Sequence, residues 1–313
     1  MSLDRIRLAS LHDKVMSAEQ AATFIQDGMT VGMSGFTRAG EAKAVPLALV
    51  KQAKENPLKI TLITGASLGN DLDKQLTEAG VLARRLPFQV DNTLRKAINN
   101  GEVMFIDQHL SETVEQMRNL QLKKPDVAII EAIAITEDGG IIPTTSVGNS
   151  ASFAIFAEKV IVEINTNLSP AFEGLHDIYI PSYRPTRQAI PLTQVDERIG
   201  THAINIDPSK IVGIVINNEY HDSPSTVTEP DDETQGIANH LINFFEQEVA
   251  AGRLPKDLGP LQAGIGSIAN AVLTGLKDSN FEDLVMYSEV LQDCTFELID
   301  AGKMKFASGS SIT

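Results

Sequence analysis

The sequence predicts an α/β fold: an open, mostly parallel sheet flanked by helices, followed by an incomplete second α/β domain. Three observations carry this. Short apolar strands alternate with amphipathic stretches along the chain. The connections between them are rich in glycine. The run from Val127 to Ile135 is apolar apart from Glu131, the pattern of a central parallel strand buried on both faces.

Taken in order, Ser17 and Gln20 have capping-box spacing: the Ser17 hydroxyl accepts an amide hydrogen bond and Gln20 reaches back. Ala21, Ala22, Phe24 and Ile25 then suit a short amphipathic helix closed by Gly28. Met29 to Ser34 reads as a strand, Pro46 to Lys54 as a helix, and Lys59 to Thr64 as a strand running into Gly65-Ala66-Ser67. Val103 to Ile106 is a further strand and Ser111 to Leu120 a capped helix. After Val127 to Ile135 comes a polar loop, Gly139 to Ser150, with Thr144, Thr145, Ser146 and Asn149. Val160 to Ile164 and Ile211 to Ile216 repeat the apolar-strand pattern.

Composition then changes. Residues 217–236 carry Glu219, Asp222, Pro224, Glu229, Pro230, Asp231, Asp232 and Glu233. Residues 1–220 are therefore read as the first domain, 221–236 as an acidic connection, and 237–313 as the start of a second domain. In that second part Ile237, Leu241, Phe244 and Phe245 share one side of a helix ending near Gly252. A short apolar stretch at Leu261, a glycine turn at Gly264 to Gly266 and a helix from Ser267 to Leu276 follow. The strand Leu284 to Tyr287 and two more strands between Thr295 and Phe306 complete the expectation. A parallel sheet needs both faces covered and more strands than these, so the second domain is read as truncated.

The chain has 313 residues, 26 Lys plus Arg, 41 Asp plus Glu, a formal net charge of −15 and 42% hydrophobic residues. That is enough apolar material for a real core and excludes fibrous and disordered classes. With no basic run, the negative charge argues against nucleic acid and membrane surfaces as partners, though not against a small anionic ligand. The single cysteine, Cys294, excludes an intrachain disulfide and a Cys-rich zinc site. No histidines stand at i,i+4, and no metal site is expected. No apolar run approaches roughly 18 residues, and the N-terminus has no apolar signal core, so a cytoplasmic location is expected.

The most informative local feature is Gly264-Ile265-Gly266-Ser267-Ile268-Ala269-Asn270, at the start of a helix. Glycines there let backbone amides meet a ligand, and a helix N-terminus favours negative charge. The segment suits a phosphate, an oxyanion on a substrate carbonyl, or a purely structural turn. It also fits the looser dinucleotide fingerprint, but Gly259 and Pro260 leave too poor a strand before it. Glu289 closes a short apolar strand, where a carboxylate in an α/β sheet reaches the usual ligand crevice as nucleophile or base, or stands solvated in a turn. Gly32 to Phe36 and the loop Gly139 to Ser150 are either ligand loops or tight turns. Ser34 fails the nucleophile-elbow pattern because Phe36 stands where glycine is needed. Arg184, Arg187 and Arg198 meet either phosphates or neighbouring acids.

Together these segments resemble the acetyl-CoA hydrolase/transferase family. The resemblance rests on Gly32 to Phe36, Asp126 to Glu131 running on to Gly139, and Pro143 to Ser150. It extends through Ile190-Pro191, Asp196 to Gly200, Gly264 to Leu273 and Tyr287-Ser288-Glu289-Val290. It implies that Glu289 is a nucleophile forming a glutamyl-CoA thioester and that the Ile265 N–H is one oxyanion donor. Gly264, Gly266, Ser267 and Asn270 are then expected to bind CoA, with no tightly bound cofactor and coenzyme A as substrate. It further implies an acyl-CoA and a small carboxylate such as acetate or succinate as partners, and a homodimer. Family members are longer, so the chain is expected to cover their larger N-terminal part. Acetyl-CoA hydrolysis and a non-catalytic, complementing module are the competing readings.

Overall fold

The computed structural model describes residues 3–222 and 230–312. The chain divides into two units, Met1–Ala189 with Ile199–Ser223, and Ile190–Arg198 with Pro224–Thr313.

The first unit opens with α1 (Ala18–Ala22), and its Ser17–Gln20 capping box is present in both directions. It continues through β1 (Thr30–Met33), α2 (Ala44–Glu55), β2 (Ile60–Thr64), α3 (Leu72–Glu78), β3 (Leu82–Leu86) and α4 (Asn92–Asn99). Next come β4 (Met104–Phe105), α5 (Leu110–Arg118), β5 (Val127–Ile135), β6 (Ile141–Pro143), α6 (Ser150–Phe156), β7 (Lys159–Asn165) and β8 (Ile211–Asn217). The sheet order is β4-β3-β2-β1-β5-β7-β8, all parallel, with β6 folded back antiparallel on β5. The expected open, mostly parallel sheet is therefore present.

Strand alternation sorts the core. Val127 and Ile129 point to the face carrying Leu62, Val45 and Leu49, while Ala128 and Ile130 point to the face carrying Ile63, Phe153 and Val162. The chain runs outward from β1 to β4 and returns to place β5 on the other side of β1. That reversal is the switch point of the sheet, and in open α/β sheets the crevice lies beyond the strand ends there. Residues 34–43 follow β1 at that place.

The second unit holds α7 (Asp232–Ala250), β9 (Pro260–Leu261), α8 (Ser267–Lys277), β10 (Leu284–Tyr287), β11 (Val290–Leu291), α9 (Asp293–Asp300), β12 (Met304–Ser308) and β13 (Ser311–Ile312). β10 lies between β12 and β9, parallel to both, and β11 pairs in parallel with β13. Leu273, Leu276, Leu284, Met286, Leu298 and Met304 form its core.

Several expectations are corrected. Part of the predicted acidic connection, 223–229, lies outside the described residues. Its end is helix, because the Asp231 carboxylate accepts the Thr234 N–H at 2.8 Å and Asp232 and Glu233 occupy the first turn of α7. The first of the two strands expected after Thr295 is helix α9, with Cys294, Thr295 and Leu298 buried at helical spacing. α5 starts at Leu110 on His109, so Ser111 lies inside the helix and does not cap it. α3, β3, α4, β6 and α6 were not anticipated. No helix among the described residues is long and apolar enough to cross a membrane.

Candidate active site

β9 is only two residues long, and the chain beyond it runs through Gly264 and Gly266 into α8. Gly266 is the residue before the first turn, with φ 137 and ψ 170, a region open essentially only to glycine. The backbone N–H of Asn270 donates to Gly266 O at 3.0 Å, the first bond of the helix. Among the described residues, the amides of Gly264, Ile265 and Gly266 meet no acceptor. The turn thus presents free N–H groups at a helix N-terminus.

Glu289 follows β10 by one residue beyond Ser288 and is exposed. Its backbone is fixed on one side, where Ser288 N donates to Ser308 O at 2.8 Å and Ser310 N donates to Glu289 O at 2.9 Å. On the other side the residues around it reach the glycine turn. Ser288 Oγ donates to Ala263 O at 3.0 Å and accepts the Ala263 N–H at 3.3 Å. Gln292 Nε2 donates to Gly264 O at 3.0 Å. The structure therefore ties the residues flanking Glu289, Ser288 and Gln292, to Ala263 and Gly264 at the start of the glycine turn, and Ser267 opens α8 after that turn.

Asn270 lies differently. It is 7% exposed, and its Oδ1 accepts a hydrogen bond from Cys294 Sγ at 3.4 Å. Its side chain holds α8 to α9 beneath the turn and does not face outward with Ile265, which is 60% exposed. Burial pushes the Cys294 thiol up from its ordinary range.

In the first unit the two predicted loops are joined by a buried ionic cluster. Ser34 Oγ accepts the Glu131 N–H at 2.9 Å. Glu131 Oε1 accepts from Lys43 Nζ at 2.8 Å and from Asn165 Nδ2 at 2.6 Å, and its Oε2 accepts from Thr144 Oγ1 at 3.0 Å. Lys43 Nζ also meets Asp222 Oδ1 at 2.7 Å and donates to Glu41 O at 2.7 Å. Glu163, opposite Glu131 in the β5–β7 register, accepts the N–H groups of Lys43, Ala44 and Val45 at 2.8, 2.9 and 3.1 Å. It is an acid capping the positive end of α2. The Gly139 to Ser150 loop is thus no open polar loop: Thr144 and Ser146 are buried, with Ser146 Oγ donating to Ala39 O at 2.8 Å.

Burial pushes the Glu131 carboxyl up to about 8, against the pull of Lys43 and helped by Asp222 and Glu163. Burial likewise raises Glu41 and Glu163. For Lys43 burial opposes the charge, yet Glu131, Asp222 and Glu41 hold the ammonium above its ordinary value. Of this cluster the sequence singles out Glu131, Ser34, Thr144 and Asp222, but not Lys43, Glu41, Glu163 or Asn165. The signal for the rest was an acid at the same place in a second apolar strand, Glu163, because a buried charge demands a partner.

Arg184 and Arg187 both meet Glu115, at 4.0 and 2.8 Å, so the acidic partner holds for these two. A cavity of about 270 Å³ against α6, lined by Ile155, Ile178 and Ile204 among others, contains none of the predicted site residues. Among the described residues no cluster of His, Cys, Asp and Glu is arranged to hold a metal ion.

Comparison with known proteins shows what the chain is similar to. The profile described as the acetyl-CoA hydrolase/transferase N-terminal domain matches residues 2–216. The chain is 45% identical over 311 residues to the succinyl-CoA:acetate CoA-transferase of Clostridium kluyveri, covering 99% of this chain and 58% of that protein. It is 43% identical over 318 residues to the acetyl-CoA hydrolase of Schizosaccharomyces pombe, covering 98% of this chain and 61% of that one. The chain thus spans less than two thirds of the length of these relatives. In fold it is similar to the crystal structure of RipA from Yersinia pestis, with TM-score 0.68, 18% identity, and coverage of 96% of this chain and 65% of that chain. It is also similar to the 4-hydroxybutyrate CoA-transferase of Porphyromonas gingivalis, with TM-score 0.60, 20% identity, and coverage of 97% and 63%.

Proposed function

The chain belongs to the acetyl-CoA hydrolase/transferase family, and from that premise we propose that Glu289 cleaves a short acyl-CoA thioester by covalent catalysis. The observation that carries this reading is the exposed Glu289 carboxylate on a backbone tied, through Ser288 and Gln292, to a turn with free amides. The carboxylate attacks the thioester carbonyl, and the oxygen that gains charge is held by the Ile265 N–H. CoA thiolate leaves and an acyl-glutamyl anhydride remains. The thiolate then attacks the glutamyl carbonyl, expels the acyl group as its carboxylate, and leaves Glu289 as a CoA thioester. Coenzyme A enters as substrate, with no resident cofactor, and Gly264, Gly266 and Ser267 line its approach.

The last step sets the outcome. Water attacking the thioester regenerates Glu289 and frees CoA, which is hydrolysis. This reading is favoured by relatives named acetyl-CoA hydrolase in Schizosaccharomyces pombe, Kluyveromyces lactis and Candida albicans. A small carboxylate such as acetate or succinate attacking instead gives transfer, and the Clostridium kluyveri relative favours that second reading. Transfer requires water to be kept from the activated acyl group. Initial rates of acetyl-CoA loss with and without succinate separate the two. Equal rates mean hydrolysis, and loss only with succinate means transfer. No loss in either case favours the module reading, in which this chain complements another segment. A homodimer and a cytoplasmic location are further parts of the proposal.

A further inference from the structure

Gln292 stands at the N-cap of α9, where Ser, Thr, Asp or Asn is the usual choice, and its side chain makes no cap bond. It is 6% exposed, and its Nε2 reaches back instead to Gly264 O at 3.0 Å. A helix start that forgoes its local cap for a distant carbonyl is the kind of broken local rule expected near a functional site. The carbonyl it takes is informative. Gly264 C=O and Ile265 N–H belong to one planar trans peptide, so they point in opposite directions. A donor fixed on that oxygen fixes the direction of the Ile265 N–H, which meets no acceptor among the described residues. Gly264 has no side chain and nothing lies within 4 Å of where a Cβ would stand, so the turn itself does little to stop this peptide from rotating. Ser288 holds the preceding residue by bonding both Ala263 N–H and Ala263 O.

We propose that Gln292 and Ser288 are positioning residues that aim the Ile265 N–H at the acyl oxygen of a substrate attacked by Glu289, Gln292 by locking the Gly264–Ile265 peptide and Ser288 by locking the turn to the stretch after β10 that carries Glu289. This rests on the reading of Glu289 as nucleophile. A single stretch of chain, Ser288 to Gln292, then carries both the attacking group and the two clamps that orient the oxyanion donor, so nucleophile and donor keep register.

The test has two arms. Crystal structures of the 313-residue chain and of its Gln292→Ala variant show the peptide directly. The expected result is an unchanged fold with the Gly264–Ile265 peptide rotated or in two orientations. An unchanged, single orientation overturns the proposal, whatever the chain's activity. The second arm is acetyl-CoA turnover. Gln292→Ala is expected to lower kcat about 10²–10³-fold, the usual loss for one oxyanion donor, with KM within about twofold. Gln292→Glu adds a pH readout that a merely structural role would not give. Protonated, its carboxyl donates to Gly264 O; ionised, it repels that oxygen, so its kcat relative to the parent chain falls as pH rises from about 5 to 8. Ser288→Ala is expected to lose about tenfold, and Ser288→Thr, which keeps the hydroxyl, to recover part of that loss. If the parent chain turns over and these variants match it at every pH, the positioning roles are wrong. If the parent chain does not turn over, the nucleophile reading fails for this chain and the peptide orientation alone decides.

Discussion

Lys43 Nζ lies 2.8 Å from Glu131 Oε1, and both side chains are fully buried. The pair sits where the loop after β1 meets β5, at the reversal of strand order, and Asp222 and Glu163 share the same lysine through its side chain and its backbone N–H. A buried ion pair contributes little against a well-packed apolar substitute, but removing one partner leaves a charge without compensation. Lys43→Met is therefore expected to cost about 3–5 kcal/mol. Adding Asp222→Asn to it, which removes the carboxylate left without its partner, should recover part of the loss. Urea unfolding followed by far-UV circular dichroism measures both, and a loss below about 1 kcal/mol for Lys43→Met would show that the cluster is not dry.

The same cluster predicts a pH dependence. The Glu131 carboxyl rises from its ordinary 4.5 to about 8 on folding, chiefly through burial. Between those values the folded chain holds a proton that the unfolded chain releases. This contribution is fully present below pH 4.5 and is lost as pH rises through about 8. Glu41 and Glu163 shift in the same direction. The exposed Asp138, Glu197, Asp207 and Asp231 are shifted down, so their contributions vanish only as pH falls through the low end of the carboxylate range. The urea midpoint is expected to fall from about pH 6 to about pH 9, and the fall should shrink in Glu131→Gln. A midpoint that climbs over that range would contradict the cluster's reading.

Two glycines of the turn should behave differently. Gly266 has φ 137, and no atom lies within 4 Å of where its Cβ would be, so Gly266→Ala meets backbone strain alone. Such strain costs about 1–3 kcal/mol. Gly264 has the same open space and no positive φ, so Gly264→Ala should change stability by less than about 1 kcal/mol. Thermal unfolding of both variants checks the contrast.

Much of the architecture was legible because it rests on burial patterns the sequence displays. β5 appears with the bounds read from its apolar run, which is buried throughout, and β10 also appears with the bounds read for it. α9 was mistaken for a strand because Thr295, Phe296, Leu298 and Ile299 also satisfy a β composition, and only packing against α8 and β12 selects the helix. β3 was missed because Arg84 and Arg85 interrupt it. Arg85 is buried there because Asp73 of α3 pairs with it at 2.8 Å and the Leu86 and Ala66 carbonyls accept from it, partners that local pattern does not show. In the site, Glu289 and the glycine turn stood out as segments. Their attachment through Ser288 and Gln292 did not, because hydrogen bonds between residues 25 and 28 positions apart leave no periodicity to read. Asn270 was grouped with the turn by sequence proximity, yet one helical turn carries its side chain to the inner face of α8.

The central claim is that Glu289 becomes covalently attached to CoA. Glu289 is exposed, so Glu289→Ala should leave stability within about 0.5 kcal/mol of the parent and isolate the chemistry. The most direct measurement is mass spectrometry of the chain after incubation with acetyl-CoA, with peptide mapping of any adduct. The predicted result is a CoA thioester on the peptide containing Glu289, released by hydroxylamine and absent from Glu289→Ala. A chain that acquires no adduct while consuming acetyl-CoA, or an adduct that persists in Glu289→Ala, would contradict the account.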